Sequence, residues 1–424
     1  MGIVITMTEQ KIRIEIQEQS TLVTESFSLQ IETEEANKSF RIAISTKDDR
    51  SHVFVASMDV LTDEHGTINM ANDLMKLIES RKSKDGKERM FVKHSDAPVT
   101  FELELTDREN VIAKATVART FLTDNVQKEI IEGEGLVGTV YYPHSEEPKP
   151  AIVIVGGSDG AHHESAAALL ASKGYVVMAL AYFGKAGLPK GIVNIPLEYV
   201  DDAFTYLKKK TIVDNERLAM IGHSRGSELA LLYASTYSSL KAVIGVAPSA
   251  VQFSGIQNFQ PVAKPAWTYN GQPFSFFAAK QTFSDMLSFF GHMITRKPFK
   301  GLEAMERNLA DQKLYEEHLI PVEKIDASVM LVAGTDDQVQ PAVFFSELME
   351  KKLQDHHDRT KNRVIIHEGA GHFSAFPSHL PHLPQTLGDT NAAMTMIFGG
   401  TREMNAEATN KSWEETLTFL EESL

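Results

Sequence analysis

The sequence predicts an α/β protein in two parts, an all-β immunoglobulin-like sandwich followed by a larger domain built on a parallel sheet. Three observations lead to this prediction. Apolar and polar residues alternate over residues 11–120, short apolar runs alternate with helical patterns from residue 151 onward, and a serine flanked by glycines lies where one of those runs meets a helix. The length of 424 residues independently favours two hydrophobic cores over one.

The alternating segment predicts the first domain, residues 1–125. A period of two is typical of half-buried antiparallel strands, and polar turns separate the runs. We therefore expect a β-sandwich, with one short helix within "INMANDLMKLIES" at 68–80. The clearest alternating residues are Ile12, Ile14, Ile16, Ile42, Ile44, Val99, Phe101, Leu103 and Leu105.

The second domain, residues 126–424, is predicted from continuous apolar runs, which suit parallel strands buried on both faces. Helical patterns separate the runs, and this alternation indicates a parallel sheet with helices on both sides. A polar, proline-bearing linker at 143–150 precedes the first run. We also expect an inserted lid, at about residues 250–325, over the carboxyl edge of the sheet. The predicted strands lie at 151–155, 175–182, 217–222, 242–248, 328–334 and 363–369.

The composition excludes several classes of function. Lys and Arg number 42 against 57 Asp and Glu, so the formal charge of −15 opposes a nucleic acid as the general partner. The chain has no cysteine, which excludes disulfides, thiolate nucleophiles and cysteine-bound metals. Any covalent catalysis must therefore use another side chain.

No sequence feature indicates export or a bilayer-spanning segment. No apolar run reaches the roughly 20 residues that a membrane helix needs, and we expect a soluble, cytoplasmic protein. The start "MGIVIT" fits the loose N-myristoylation pattern through Gly2 and Thr6. Nothing polybasic follows to supply the second signal of a lasting attachment, so we expect no stable membrane anchor.

The motif Gly-x-Ser-x-Gly at 222–226 is the strongest chemical signal. A serine that only caps a helix would give a similar pattern. Here, however, Gly222 and Gly226 flank Ser224 at a predicted sharp turn from strand to helix, which is the setting of a nucleophile elbow. The helix would aim its amino-terminal dipole at the site, and the backbone N–H of Arg225 would donate to a developing oxyanion.

An acid and a base follow the serine in the order that an α/β-hydrolase domain requires. After the strand at 328–334, "GTDDQVQP" offers Asp336 or Asp337, and "AGHFSAFP" later offers His372 in a glycine-flanked loop. A histidine can take the serine proton, and an aspartate can hold its imidazole in the right tautomer. Singly each is an ordinary loop residue, but together they predict a serine hydrolase.

Two clusters resemble metal ligands, "HHE" at 162–164 and "DHHD" at 355–358. Neither has a recognised ligand spacing, and both suit solvated helix ends. We therefore predict no metal and no cofactor.

The chain resembles the acyl-CoA thioesterase and bile acid-CoA:amino acid N-acyltransferase family, whose members join an amino-terminal β-sandwich to an α/β-hydrolase domain. The hydrolase motifs are specific, whereas the amino-terminal match is one of placement and β pattern. The motifs are "LPKGIVNIPLEYVDDAFTYL", "IGHSRGSELAL", "AWTYNGQP", "GTDDQ", "GAGHF" and the tail "FGGTREMNAEATNKSWEETLTFLEESL".

This resemblance implies a triad of Ser224, Asp337 and His372. Asp337 is preferred because it lies three residues after Gly334, the usual acid spacing in such turns, and Asp336 stays the alternative.

The resemblance also implies residues around the triad. The loop "GGSDG" at 156–160 would supply the second oxyanion donor, with Ser158 chosen by position. His162 and His163 would line the mouth of that loop. Independently of the resemblance, Trp267, Phe274 and Phe276 of the expected lid are candidates for an acyl pocket, although aromatic stretches more often form a core.

The nucleophile type indicates the acceptor of the acyl group. The bile-acid branch of the family has a cysteine where this chain has Ser224, and an acyl-serine is an oxygen ester that yields less readily to an amine than an acyl-cysteine does. We therefore predict a hydrolase whose small-molecule substrate is an acyl thioester, cleaving acyl-CoA to fatty acid and CoA. The alternatives are an N-acyltransferase that conjugates an amino acid, an esterase or amidase, and a non-catalytic binding protein, which the intact triad residues oppose.

Overall fold

The computed structural model describes residues 12–424 apart from 134, 259, 280–281, 296, 355–360 and 391–393. The amino-terminal "MGIVIT" and the "DHHD" cluster at 355–358 both lie outside the described residues.

The first part of the chain is built of antiparallel strands, as the alternating pattern predicts. Its elements are β1 (Arg13–Glu18), β2 (Phe27–Glu32), β3 (Ser39–Lys47), β4 (Val53–Leu61), β5 (Thr67–Met70), α1 (Asn72–Glu79), β6 (Lys82–Ser83), β7 (Val99–Asp107) and β8 (Asn110–Arg119). They form one sheet in the order β1-β2-β5 and a second in the order β6-β4-β3-β7-β8. The helix α1 lies within the stretch in which the sequence predicts one.

The next part alternates strands and helices. Its elements are β9 (Val126–Gly133), β10 (Leu136–Pro143), β11 (Lys149–Val155), α2 (Glu164–Ser172), β12 (Val176–Ala181), β13 (Ile195–Pro196), α3 (Leu197–Lys208), β14 (Val213–His223), α4 (Arg225–Thr236) and β15 (Ala242–Val246). The sequence pattern does not predict β9 and β10. No helix separates β10 from β11, and most of β9 is exposed, with Ile131 its buried residue.

An insertion follows β15 and precedes the next strand of the main sheet. It contains β16 (Ser254–Gln257), β17 (Gln260–Pro265), β18 (Trp267–Tyr269), β19 (Gln272–Pro273), α5 (Phe283–Thr295), α6 (Leu302–Leu309) and α7 (Gln312–Tyr315), with short 3-10 helices at Glu316–His318 and Val322–Lys324. Strands β16 and β17 form a hairpin, and β18 pairs with both β13 and β19. The function of this insertion as a lid stays a prediction.

The chain ends with β20 (Ser328–Gly334), α8 (Ala342–Gln354), β21 (Arg363–His367), β22 (Gly388–Thr390), β23 (Thr395–Ile397) and α9 (Arg402–Ser423). The eight-stranded sheet has the order β21-β20-β15-β14-β11-β12-β10-β9. Neighbouring strands from β12 to β21 are parallel, whereas β10 is antiparallel to both β12 and β9. The predicted α/β class, with an antiparallel β-rich region before it, is therefore confirmed.

Alternate residues of the central strands face two cores. Ile152 and Ile154 pack in a core that continues into the amino-terminal sheets and α9. Val153 and Val155 pack on the other face with α3, α4 and α8. Both faces of the sheet are thus covered, which explains the continuous apolar runs of its strands.

The proposed division into domains 1–125 and 126–424 falls between β8 and β9 and stays a prediction. Within the described part of the chain, no helix is both long and apolar enough to cross a membrane.

Candidate active site

Ser224 lies between the end of β14 and the start of α4, at the carboxyl edge of the sheet. Its backbone angles are φ 53° and ψ −116°, a conformation that residues with a side chain rarely adopt. Its N–H donates to the carbonyl of Val246 on the neighbouring strand β15, at 2.8 Å. The turn therefore fixes the serine above the middle of the sheet, as a nucleophile elbow does.

The two flanking glycines are required by close backbone approach. A Cβ on Gly222 would lie 2.1 Å from the carbonyl oxygen of Gly226. A Cβ on Gly226 would lie 2.4 Å from the carbonyl oxygen of Gly156. Neither position can hold a larger residue without moving the backbone. The two glycines of the motif therefore have a steric explanation that does not depend on any reaction at Ser224.

Three of the predicted residues form one buried chain of hydrogen bonds. His372 Nδ1 lies 2.7 Å from Asp337 Oδ2, and His372 Nε2 lies 3.0 Å from Ser224 Oγ. In the tautomer that satisfies both contacts, Nδ1–H donates to the carboxylate and Nε2 accepts the serine proton. This is the arrangement that nucleophilic catalysis by a serine needs.

The two candidate aspartates have different partners. Asp337 Oδ1 accepts backbone N–H groups of Val339 and Gln340 at 2.8 and 3.0 Å, which leaves Oδ2 for His372. Asp336 instead accepts from the side-chain amide of Gln338 and from the backbone N–H of Gly400. The structure thus brings Asp337 to His372 and directs Asp336 toward the start of α9.

The predicted oxyanion donors lie on both sides of Ser224. Arg225 is the first residue of α4, so its N–H has no acceptor within the helix. The loop at 156–160 reaches Ser224 through Gly157, because a Cβ on Gly157 would lie 3.2 Å from Ser224 Cβ. Ser158 directly follows that contact, and its role as a donor stays a prediction.

His223 is a neighbour of the triad that the sequence analysis missed. Its Nε2–H donates to the backbone carbonyl of His372 at 3.0 Å, and the two rings are 4.9 Å apart. Burial, and next the proximity of His372, lower the pKa of His223 to about 4, so it is neutral near pH 7. Its position directly before Ser224 is the one sequence signal that could have identified it.

A buried charged cluster at the start of α4 was also missed. Glu228 Oε1 accepts from Trp267 Nε1 at 2.6 Å and from the Phe253 N–H at 3.1 Å. Glu228 Oε2 pairs with Arg225 at 2.6 Å, and Arg225 Nη2 donates to the carbonyls of Phe253 and Ser254. Burial raises the pKa of Glu228 to about 7. The cluster attaches the insertion to α4.

The remaining predicted residues fall into two groups. Trp267, on β18 of the insertion, is buried in the core, and Phe274 and Phe276 are half-buried, so a role in an acyl pocket stays a prediction for them. His162 Nε2–H donates to the carbonyl of Ala179, and the ring of His163 packs edge-on against His94 at 5.5 Å.

No metal centre is found at these histidines. The described residues contain no group of three or more His, Cys, Asp or Glu side chains that could hold a metal ion.

The family model and two relatives that match this chain are all described as acyl-CoA thioester hydrolases or thioesterases. Residues 195–424, 230 of the 424 residues, match the family model described as BAAT / Acyl-CoA thioester hydrolase C terminal. Acyl-coenzyme A thioesterase 1 of Homo sapiens is 27% identical over 343 residues, covering 79% of this chain and 76% of the relative. Acyl-coenzyme A thioesterase 1 of Mus musculus is 25% identical over 394 residues, covering 89% and 88%.

A matching solved structure has a lower sequence identity than these relatives. A puromycin-hydrolyzing peptidase of Mycobacterium tuberculosis is 13% identical with a TM-score of 0.45, covering 97% of this chain and 68% of that chain.

The backbone at Ser224 predicts an unusual response of stability to mutation. We expect Ser224→Gly to be more stable than Ser224→Ala by about 1–2 kcal/mol, because both lose the hydroxyl and glycine alone adopts this conformation without strain. Denaturant unfolding of the two variants measures the difference. Equal free energies of unfolding would show that the turn holds no strain.

Proposed function

Because the chain belongs to the BAAT / acyl-CoA thioester hydrolase family, we propose that it is a serine hydrolase that cleaves acyl-CoA to a free fatty acid and CoA. The observation that carries the proposal is the hydrogen-bond chain from Asp337 through His372 to Ser224. The similarity to proteins named acyl-coenzyme A thioesterases supports the choice of an acyl thioester as substrate.

Acylation begins with attack of Ser224 Oγ on the thioester carbonyl. His372 Nε2 takes the hydroxyl proton as the carbon–oxygen bond forms, and Asp337 stabilises the imidazolium and keeps its orientation. The oxyanion accepts hydrogen bonds from the Arg225 N–H and, as we propose, from the Ser158 N–H. The carbon–sulfur bond then breaks, His372 returns the proton to the CoA sulfur, and an acyl ester remains on Ser224.

Deacylation repeats these steps with water. His372 takes a proton from water as its oxygen attacks the ester carbonyl, and the same N–H groups stabilise the second oxyanion. Collapse of this intermediate breaks the bond to Ser224 Oγ, which regains its proton from His372, and the fatty acid leaves. The overall reaction consumes one water and one acyl-CoA and yields one acid and one thiol.

The oxygen ester on Ser224 favours water over an amine as acceptor. A thioester is more reactive toward amines, so a cysteine at this position would suit amide formation better. Hydrolysis is therefore the proposed outcome, with conjugation of an amino acid as the alternative to be tested. Four further expectations stay predictions: no nucleic-acid partner, no stable membrane anchor, no cofactor and a cytoplasmic location.

We expect Ser224→Ala to abolish turnover of acyl-CoA, since loss of a nucleophile of this kind costs on the order of 10⁴ to 10⁶ in rate. A serine-directed fluorophosphonate should label the wild type and leave Ser224→Ala unlabelled. Ser235→Ala is the matched control, because Ser235 lies on the same helix and donates within it. Equal labelling of Ser224→Ala and wild type would refute the assignment of the nucleophile.

The two aspartates give a second, separable prediction. Asp337→Asn should lower kcat by about 10⁴, because an amide cannot hold His372 in the required tautomer. Asp336→Asn, its matched control one residue away, should lower kcat by less than about tenfold, since Asp336 bonds to Gln338 and Gly400 instead. The opposite ranking of the two kcat values would transfer the role to Asp336.

The acceptor is tested by product analysis. With acyl-CoA as substrate and glycine or taurine in large excess, mass spectrometry should find free fatty acid as the main product. A predominance of N-acyl amino acid would favour the transferase. Cleavage of short-chain aryl esters with neither product from acyl-CoA would favour an esterase.

A further inference from the structure

Helix α5 in the insertion presents its apolar face outward. Phe283, Met286, Leu287, Phe290 and Ile294 follow a spacing of three, four, seven and eleven residues, which places them on one side of a helix. All five are exposed, Phe283 by 70% and Ile294 by 83%. Large apolar side chains scattered singly on a surface are ordinary, but a continuous stripe of this kind marks an interaction site.

The side of α5 opposite the stripe contacts the segment that follows the helix, and that segment is bonded through Phe299 to Thr395 and Ile397. His292 lies half a turn away from the apolar stripe, its Nδ1–H donates to the carbonyl of Lys297, and its ring packs edge-on against Phe299. The apolar stripe is therefore presented to the surroundings by the way the helix is seated.

The charge around α5 is opposite to that of the whole chain. In the sequence, residues 280–300 contain Lys280, Arg296, Lys297 and Lys300 against the single acidic residue Asp285, a net charge of +3 in a chain of −15, and Lys280 and Arg296 lie outside the described residues. Lys297 and Lys300, which directly follow the helix, are exposed. An apolar helix face flanked by cations is typical of segments that lie in the interface of a membrane.

We propose that this face of α5 docks reversibly on an anionic lipid surface, with the five apolar side chains in the headgroup boundary and Lys297 and Lys300 against the lipid charges. A second copy of the chain fits less well. A pairing with the two α5 helices parallel would bring Lys297 and Lys300 of both copies together, and like charges repel. An anionic lipid surface complements both features at once.

The docking face is joined to the candidate site by a short path. Gly301 and Leu302, which follow the cationic segment, donate their N–H groups to the carbonyl of Gln338 at 3.0 and 3.1 Å. Gln338 is the neighbour of Asp337, so the segment that follows Lys300 is bonded to the acid turn. The proposal concerns binding alone and goes beyond the proposed hydrolysis, on which it does not depend.

The test is sedimentation of the full chain with vesicles of phosphatidylcholine alone and with vesicles of equimolar phosphatidylcholine and phosphatidylserine. The wild type should sediment with the mixed vesicles, bind phosphatidylcholine weakly, and dissociate as salt is raised. The double variant Lys297→Glu and Lys300→Glu should lower the bound-to-free ratio by about tenfold or more, and Ile294→Asp should do the same.

Matched controls keep folding apart from binding. Ile130→Asp alters an isoleucine that is also exposed, by 63%, on the distant edge strand β9, and Lys47→Glu reverses an exposed charge on β3. Both should bind like the wild type. Thermal unfolding of every variant establishes that it is folded, without reference to enzymatic activity, so loss of hydrolysis and loss of lipid binding are told apart.

Three results would overturn the proposal. The first is equal sedimentation of the wild type with and without phosphatidylserine, and the second is equal binding by folded Ile294→Asp and wild type. The third is a dimer, seen by light scattering, that Ile294→Asp dissociates, which would assign the face to contact between copies.

Discussion

The backbone turn at Ser224 is the constraint on which the candidate site depends. At φ 53° and ψ −116° the residue is held in a conformation that its own side chain disfavours. The turn can persist because β14 is fixed between β11 and β15, and because Gly222 and Gly226 let three backbone segments meet closely. The stable sheet therefore holds the strained turn in place, and the turn presents the Ser224 hydroxyl to His372.

A buried ion pair next to the candidate site joins α4 to the insertion. Burying an ion pair such as Arg225–Glu228 is costly, and apolar residues would often be at least as stable. The ion pair contributes directional hydrogen bonds instead. Its carboxylate and guanidinium make hydrogen bonds to Phe253, Ser254 and Trp267 that apolar side chains cannot make. Arg225, whose backbone N–H is the predicted oxyanion donor, thus also attaches the insertion to α4.

The amino-terminal sheets belong to the frame of the site as well. The carbonyls of Lys93 and His94 accept the side-chain hydroxyl and the backbone N–H of Ser165, at the first turn of α2. The ring of His94 packs against His163, just after the loop that carries Ser158. The loop that reaches Ser224 through Gly157 is therefore supported from the sandwich side, and the two parts of the chain share one hydrophobic core.

The sequence by itself determined the local features: the strand Ser328–Gly334, the turn at Ser224 and the order of serine, acid and histidine, because apolar runs, glycines and motif order are properties of short segments. Tertiary structure decided which of Asp337 and Asp336 contacts His372, since adjacent residues in one turn differ only in which distant groups they meet. It also decided the partner of Glu228, 39 residues away at Trp267, and the outward direction of α5. A sequence pattern can define an apolar face, but only neighbouring elements fix which way that face is turned.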